Sequence, residues 1–316
     1  MKLPLSFCRW LWNQQWIGLP YKKSAYRMLN NAGEAPDAPF ETQFFDLRYQ
    51  GNLNNGIEFA LFYYGAFEKP LLFFLRDAYA ALQKSRSENG AFCDIGANLG
   101  QHSLFMSQFS ESVHSFEPFD QVRARLEHHI QLNNLGNITV HPVGLGRKTH
   151  SQTFYAPTGS NQGVGSFIED SQAKGNEAIG ELQIFDGDEY FQQHGIADPV
   201  LIKIDVEGLE KEVLEGLTET LQQHRPVLAV EVSYGEARSF TSREELLKAL
   251  PEDYQVYRFD TRKPDGSTAR RRGSKAKRSG AYKLIPMDDW HGKDQDDLVL
   301  VPAEFLPELP LSNRPA

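Results

Sequence analysis

Cysteine is nearly absent: Cys8 and Cys93 are the only two in 316 residues. Cys93 sits inside an apolar run that reads as a buried strand, which argues against a disulfide and fits a reducing, cytoplasmic compartment. No apolar stretch approaches the ~18 residues that a membrane span needs. The N-terminal apolar patch is broken by Arg9 and lacks a small-residue cleavage site, so no signal peptide is expected. No His/Cys cluster has zinc spacing, and no metal is expected. A positive excess is missing too: net charge is −9, which disfavours a general nucleic-acid binder or an anionic-membrane binder. Internal repeats are absent.

The charge that is present is uneven. Residues 262–278 hold eight Lys and Arg against one Asp. This Gly- and Ser-bearing stretch reads as a solvated loop inserted at 261–281, with a grip on phosphate or an anionic saccharide as the sharper alternative. Residues 1–30 mix Trp10, Trp12, Trp16, Tyr21 and Tyr26 with Arg9, Lys22, Lys23 and Arg27. They read as a helix packing its aromatics on the body, in preference to a membrane-surface segment. Residues 40–66 alternate around Gly51, Asn55-Gly56 and Gly65 and read as short strands and turns; Pro70–Leu82 reads as a helix.

From residue 91 strands and helices alternate. Strands are expected at Phe92–Ile95, Val113–Phe116, Ile138–Val143, Val200–Asp205 and Val227–Val232. Helices start at Gln101, near Val122 and at Leu209, and Ser242 with Glu245 forms a capping box for another. Ser151–Tyr155 and Glu181–Phe185 read as extra strands flanking a loop at Gly159–Ser166. Tyr254–Phe259 and Leu298–Val301 read as an antiparallel edge pair. The expected architecture is α/β, a Rossmann-like doubly wound, mostly parallel sheet with that edge hairpin and an N-terminal extension. The expected division is an extension over 1–88, the α/β domain over 89–305 and an extended tail over 306–316.

The first strand ends in Asp94-Ile-Gly96-Ala-Asn98-Leu-Gly100. Dinucleotide turns carry a glycine where Asn98 stands, and Asp94 would repel a pyrophosphate. Asp94 suits an ammonium group, the glycines allow close backbone approach, and Glu117, 21 residues after Gly96, suits a ribose. Together these describe S-adenosylmethionine. The bland alternative is a tight turn capped by Asp94 with Glu117 in solvent. Farther along, Asp205 and Glu207 close one strand and Glu231 its neighbour. Three carboxylates in one crevice raise at least one pKa and provide a general base. Asp205 or Glu207 is the expected base and His102 the rival. Asp205 could instead bind backbone amides of the next helix, the three carboxylates could ligate Mg²⁺, and His102 could be an ordinary surface histidine.

Asp94-Ile-Gly-Ala-Asn-Leu-Gly, Phe116-Glu117-Pro118 and Lys203-Ile-Asp-Val-Glu-Gly-Leu-Glu210 together resemble the FkbM family of S-adenosylmethionine-dependent O-methyltransferases, and Tyr64–Glu68 resembles that family's lead-in. The resemblance covers roughly residues 60–235. It implies a class I methyltransferase fold and a hydroxyl acceptor on a sugar, glycan or natural product; an anionic acceptor is suggested by the basic stretch alone. The resemblance also implies cofactor contacts from Asp94, Gly96, Asn98, Gly100 and Glu117, with Asp205 and Glu207 on the acceptor side; Gly144 is a further expected cofactor contact, and Glu231, from its place on the neighbouring strand, a further acceptor-side residue. Gln101-His102 departs from the aromatics frequent in the family, and the basic insertion is not a family hallmark. Nucleic-acid methylation is the runner-up, disfavoured because Asp205-Val-Glu-Gly stands where amino-methylating enzymes carry Asn/Asp-Pro-Pro-aromatic. A non-catalytic nucleotide binder is the third reading.

Overall fold

The computed structural model describes residues 4–86, 90–157, 165–167, 176–234, 239–263, 265–267, 269–290 and 295–313. The N-terminal part holds helices α1 (Leu5–Asn13) and α2 (Lys23–Asn30), strands β1 (Pro39–Phe44) and β2 (Leu47–Asn52), then α3 (Gly56–Tyr64) and α4 (Lys69–Ser85). The strands pair antiparallel. Two expectations change here. The described part of residues 1–30 forms two helices, which bury Tyr26, while Trp10, Trp16 and Tyr21 stay exposed. Asn55-Gly56, expected to be a strand turn, starts a helix: Asn55 Oδ1 accepts the amides of Ile57 (2.9 Å) and Glu58 (3.4 Å).

The body follows in chain order. It opens with β3 (Ala91–Ile95), α5 (Gln101–Met106), β4 (Ser112–Phe116), α6 (Asp120–Leu132) and β5 (Ile138–His141). A small side sheet comes next, with β6 (Gly144–Gly146), β7 (His150–Pro157) and β8 (Asn176–Asp186), then α7 (Gly187–Gln193). The sheet resumes with β9 (Pro199–Ile204), α8 (Glu210–Gly216), α9 (Thr218–His224), β10 (Val227–Ser233) and α10 (Arg243–Lys248). The chain closes with β11 (Tyr254–Phe259), α11 (Arg270–Ser279), β12 (Leu284–Pro286) and β13 (Gln295–Pro302). Most of the expected loop at Gly159–Ser166 lies outside the described residues; Ser166 pairs with Tyr155.

Eight strands form one sheet in the order β12-β11-β13-β10-β9-β3-β4-β5. The five from β10 to β5 are parallel, and β13, β11 and β12 run antiparallel at the other edge. The α/β expectation, with its antiparallel edge, is met. Every residue of β3 and β9 is buried, because helices cover both faces. Phe92 and Leu201 join the core beneath α4 and α5, whereas Cys93, Ile95, Ile202 and Ile204 join the core beneath α8 and α9. The helix expected from Leu209 is two helices, broken where a Cβ on Gly216 would come within 1.9 Å of the Gly146 carbonyl oxygen.

The basic stretch is not a loop throughout. Arg270–Ser279 is helical, lies on α4 and closes on Gly280, where a Cβ would meet the Phe73 ring at 2.3 Å. The tail is not simply extended either. Within it Leu309 is buried and Ser312 bridges to Lys283, so the described part packs on the body.

Strand order reverses between β3 and β9: the chain runs outward through β4 and β5, then restarts at β9 on the other side of β3. Asp94 and Lys203 are register partners across that junction. A crevice at the carboxyl ends of the strands is expected there.

Candidate functional site

A cavity of about 360 Å³ opens at that junction, a size that suits a small ligand. Its walls include Gly96, Asn98, Glu117, Gly144, Asp205 and Glu231. A second hollow of about 330 Å³, between α4 and the antiparallel edge, shares Phe67, Glu68, Glu231 and Gln295 with the first.

The turn after β3 is set by its neighbours. Gly96 has φ +82°, and a Cβ there would sit 1.8 Å from the Asp205 carbonyl oxygen, so the outgoing backbone of β9 demands glycine. Gly96 and Ala97 both donate to the Phe116 carbonyl, at 3.0 and 2.9 Å. Gly100, at φ +79°, is pressed by Leu126 of α6, where a Cβ would lie 2.2 Å from Cδ1, and it is not a wall of the cavity. The glycines therefore answer to packing first. The expectation that they leave bare backbone for a ligand applies at Gly96 alone of the two.

Glu117, at the end of β4, is held from both sides. Its Oε2 accepts the Asn98 amide at 2.9 Å and its Oε1 the Phe119 amide at 2.9 Å. Burial pushes its pKa up to about 7, against the pull of those amides and of Arg123. Each oxygen keeps acceptor capacity, and the residue faces the cavity.

Asp94 is placed differently from the expectation. It is fully buried and is not a cavity wall. Its Oδ2 accepts the Ser103 hydroxyl at 2.6 Å, and its Oδ1 lies 3.9 Å from Lys203 Nζ. Burial raises its pKa, while Lys203 and Ser103 pull it down. The side chain anchors Lys203 where the sequence had it meeting a ligand ammonium.

Lys203 carries the electrostatics of the other wall. It is buried, and its Nζ donates to Asp205 Oδ2 at 3.0 Å. Burial alone would lower its pKa, but Asp205, Asp94 and Glu68 together raise it. Glu231 accepts from Gln295 Nε2 at 3.1 Å, and burial with Asp205, Asp297, Glu207 and Glu68 drives it far above the usual carboxylate range. Glu68 and Asp297 are raised as well, by burial first and then by their acidic neighbours. Glu207 lines the cavity at φ +53°.

His102 is buried on α5 with Nε2 3.5 Å from Glu68 Oε2, and it is not a cavity wall. Burial and Lys203 drive its pKa well below the usual histidine value. Asp205, Glu210 and Glu231 can each bring one oxygen within 4.8 Å of the others, the spacing of a cation site. Glu210 Oε1 is already engaged by the amides of Val206 and Gly208, each at 3.0 Å, and Lys203 supplies a positive charge at Asp205. Sequence reading assigned no role to Lys203, Glu68, Asp297 or Gln295. The signal available was the lysine two residues before Asp205, on the same strand face.

Residues 94–259 match the methyltransferase FkbM domain. The chain belongs to the FkbM methyltransferase family. The match begins at Asp94 and spans the glycine turn, Glu117 and the Lys203–Glu210 segment, leaving α1–α4 and α11 outside. Among curated relatives, the hexuronic acid methyltransferase AglP of Haloferax volcanii is 27% identical over 163 residues, 51% of this chain and 63% of that protein. Methyltransferase 1 of Beauveria bassiana is 27% identical over 141 residues, 39% of this chain and 57% of that protein. The chain thus spans less than two thirds of the length of either. Among solved structures, methyltransferase FkbM from Methylobacillus flagellatus KT covers 70% of this chain and 47% of its own, at 18% identity and a TM-score of 0.38.

Proposed function

We propose that this FkbM-family chain is an S-adenosylmethionine-dependent O-methyltransferase acting on a hydroxyl of a neutral sugar, glycan or natural-product-like acceptor. The observation that carries this reading is Glu117: a buried carboxylate, fixed by two backbone amides, with acceptor capacity left over at the wall of a cavity. That is the chemistry that receives two donors from a ribose diol. The far wall is acidic, through Asp205 and Glu207, and so favours a cationic ligand over the pyrophosphate of a dinucleotide. Asn98, Gly144 and Glu117 would hold the cofactor, which supplies an activated methyl group.

The acceptor fits the second hollow, beside Glu68 and Glu231. Asp205 lines the first cavity, accepts a hydrogen bond from Lys203, and is the side chain best placed to take the hydroxyl proton. Glu231, held protonated by its surroundings, is suited to donate a hydrogen bond to the acceptor. His102 lines neither hollow, and burial lowers its pKa and makes it a weak base, so it suits this role less than Asp205. The acidic walls disfavour an anionic acceptor, even though a hexuronic acid methyltransferase is among the relatives. That relative supports a carbohydrate acceptor in general.

Calorimetry with S-adenosylmethionine, S-adenosylhomocysteine and NAD, followed by methyl transfer to matched neutral and uronic-acid glycans, tests the reading. Binding of both adenosyl sulfur compounds and transfer to neutral glycans is expected. Preferential NAD binding overturns it.

A further inference from the structure

Two stretches of this acidic chain contain no acid at all. Residues 1–33 carry five Lys and Arg with no Asp or Glu, and residues 266–287 carry seven with none. Some 230 residues separate them in sequence, yet the fold joins them at one side chain. Lys277 of α11 lies 5.2 Å from the Tyr64 ring centre, Lys23 of α2 lies over the same ring at 3.8 Å, and Arg27 donates to the Tyr64 hydroxyl. In α11, Arg270, Arg271, Lys275, Lys277 and Arg278 are exposed, and none pairs with an acid among the described residues.

The same region holds most of the exposed aromatics among the described residues. Of six large hydrophobic side chains exposed among the described residues, four fall within residues 7–21: Phe7, Trp10, Trp16 at 78% and Tyr21 at 83%. Tyr21 precedes Lys23 by two residues, so the aromatic edge adjoins the cationic one. Indoles and phenols placed beside ammonium and guanidinium groups suit the boundary between phospholipid headgroups and acyl chains.

We infer that α11 and the α1–α2 arm form one docking surface for a bilayer bearing anionic phospholipid headgroups. Charge complementarity selects this occupant. A second copy of the chain would set like charges face to face across a two-fold interface. A duplex would engage the cations but would leave Trp16 and Tyr21 in water. Net charge, which disfavours anionic membranes for the chain as a whole, misses the surface because few acids lie on it: Glu34 pairs with Arg9 and Asp260 with Arg272. The surface falls outside the residues that match the family, and the inference holds independently of methyl transfer.

Cosedimentation of the full chain with phosphatidylcholine vesicles, alone or mixed with phosphatidylglycerol, tests this. Binding to the mixed vesicles only is expected, weakening as salt rises. The triple variant R271A/K275A/R278A should bind the mixed vesicles about 100-fold more weakly, at roughly fivefold per cation. The double variant W16A/Y21A should lose about tenfold and the tryptophan blue shift. All five positions are exposed, so thermal melts should match wild type, and the salt series on the unmodified chain stands without any variant. Equal binding to both vesicles, no vesicle binding, or duplex DNA binding without vesicle binding overturns the inference.

Discussion

Glu117 and Glu231 both stand at carboxyl ends of the same sheet and both face the cavity, but they are accommodated in opposite ways. Glu117 is satisfied by backbone: two amides, each at 2.9 Å, belonging to turns that follow neighbouring strands. Glu231 is satisfied by a side chain, Gln295, and crowded by Asp205, Asp297, Glu207 and Glu68 around a single buried lysine. Backbone donors do not titrate or move, so the Glu117 end is a rigid recognition point. The Glu231 end is a shared proton and charge reservoir whose members depend on each other. Under the proposed function, recognition and proton handling would sit at opposite ends of one cavity.

Four measurements break or sharpen that contrast. Asp205→Asn removes the carboxylate best placed to take a proton. It should lower kcat by about 10²- to 10⁴-fold, a larger effect than on cofactor affinity. An unchanged kcat would remove proton handling from this end. Lys203→Met leaves Asp94 and Asp205 without their cation and should cost about 3–5 kcal/mol in denaturant unfolding. The loss should shrink at acidic pH, where the carboxyls can take protons. Glu117→Gln keeps the shape but trades an acceptor oxygen for a donor. It should weaken cofactor binding by about tenfold to a hundredfold and leave kcat at saturation nearly intact.

The pH profile is the smallest effect. Glu117 is raised from 4.5 to about 7 in the fold. Between those values the folded state keeps a proton that the unfolded state has released, so this group's contribution to stability falls as pH rises from about 4.5 to 7. Ligand hydroxyls prefer the ionised carboxylate, so cofactor affinity should rise as pH passes through about 7, and Glu117→Gln should flatten that rise. A flat profile in the wild-type chain would show that this carboxylate does not meet the ligand.

The parallel strands and the strand-ending acids were legible in sequence, because strands buried on both faces read as unbroken apolar runs punctuated by glycine. What was not legible has identifiable causes. Asn55-Gly56 carries the same dipeptide as a hairpin turn, and only the helical path beyond it makes Asn55 a cap. In α11 the one buried side chain is Ala276, so no apolar stripe announces a helix, and its seat on α4 is tertiary. Asp94 read as a ligand group because it ends a strand. That a lysine on the adjacent strand reaches it depends on register between segments more than a hundred residues apart. The Gly96 requirement comes from the same junction, where β9 passes too close for any side chain.

Calorimetric titration of S-adenosylmethionine into the wild-type chain and into Glu117→Gln, at pH values on both sides of 7, tests the division of the cavity most directly. The account predicts saturable binding that strengthens with pH in the wild type, and a weaker, pH-independent isotherm in the variant. Identical isotherms for the two proteins, or tighter binding of NAD than of S-adenosylmethionine, would contradict it.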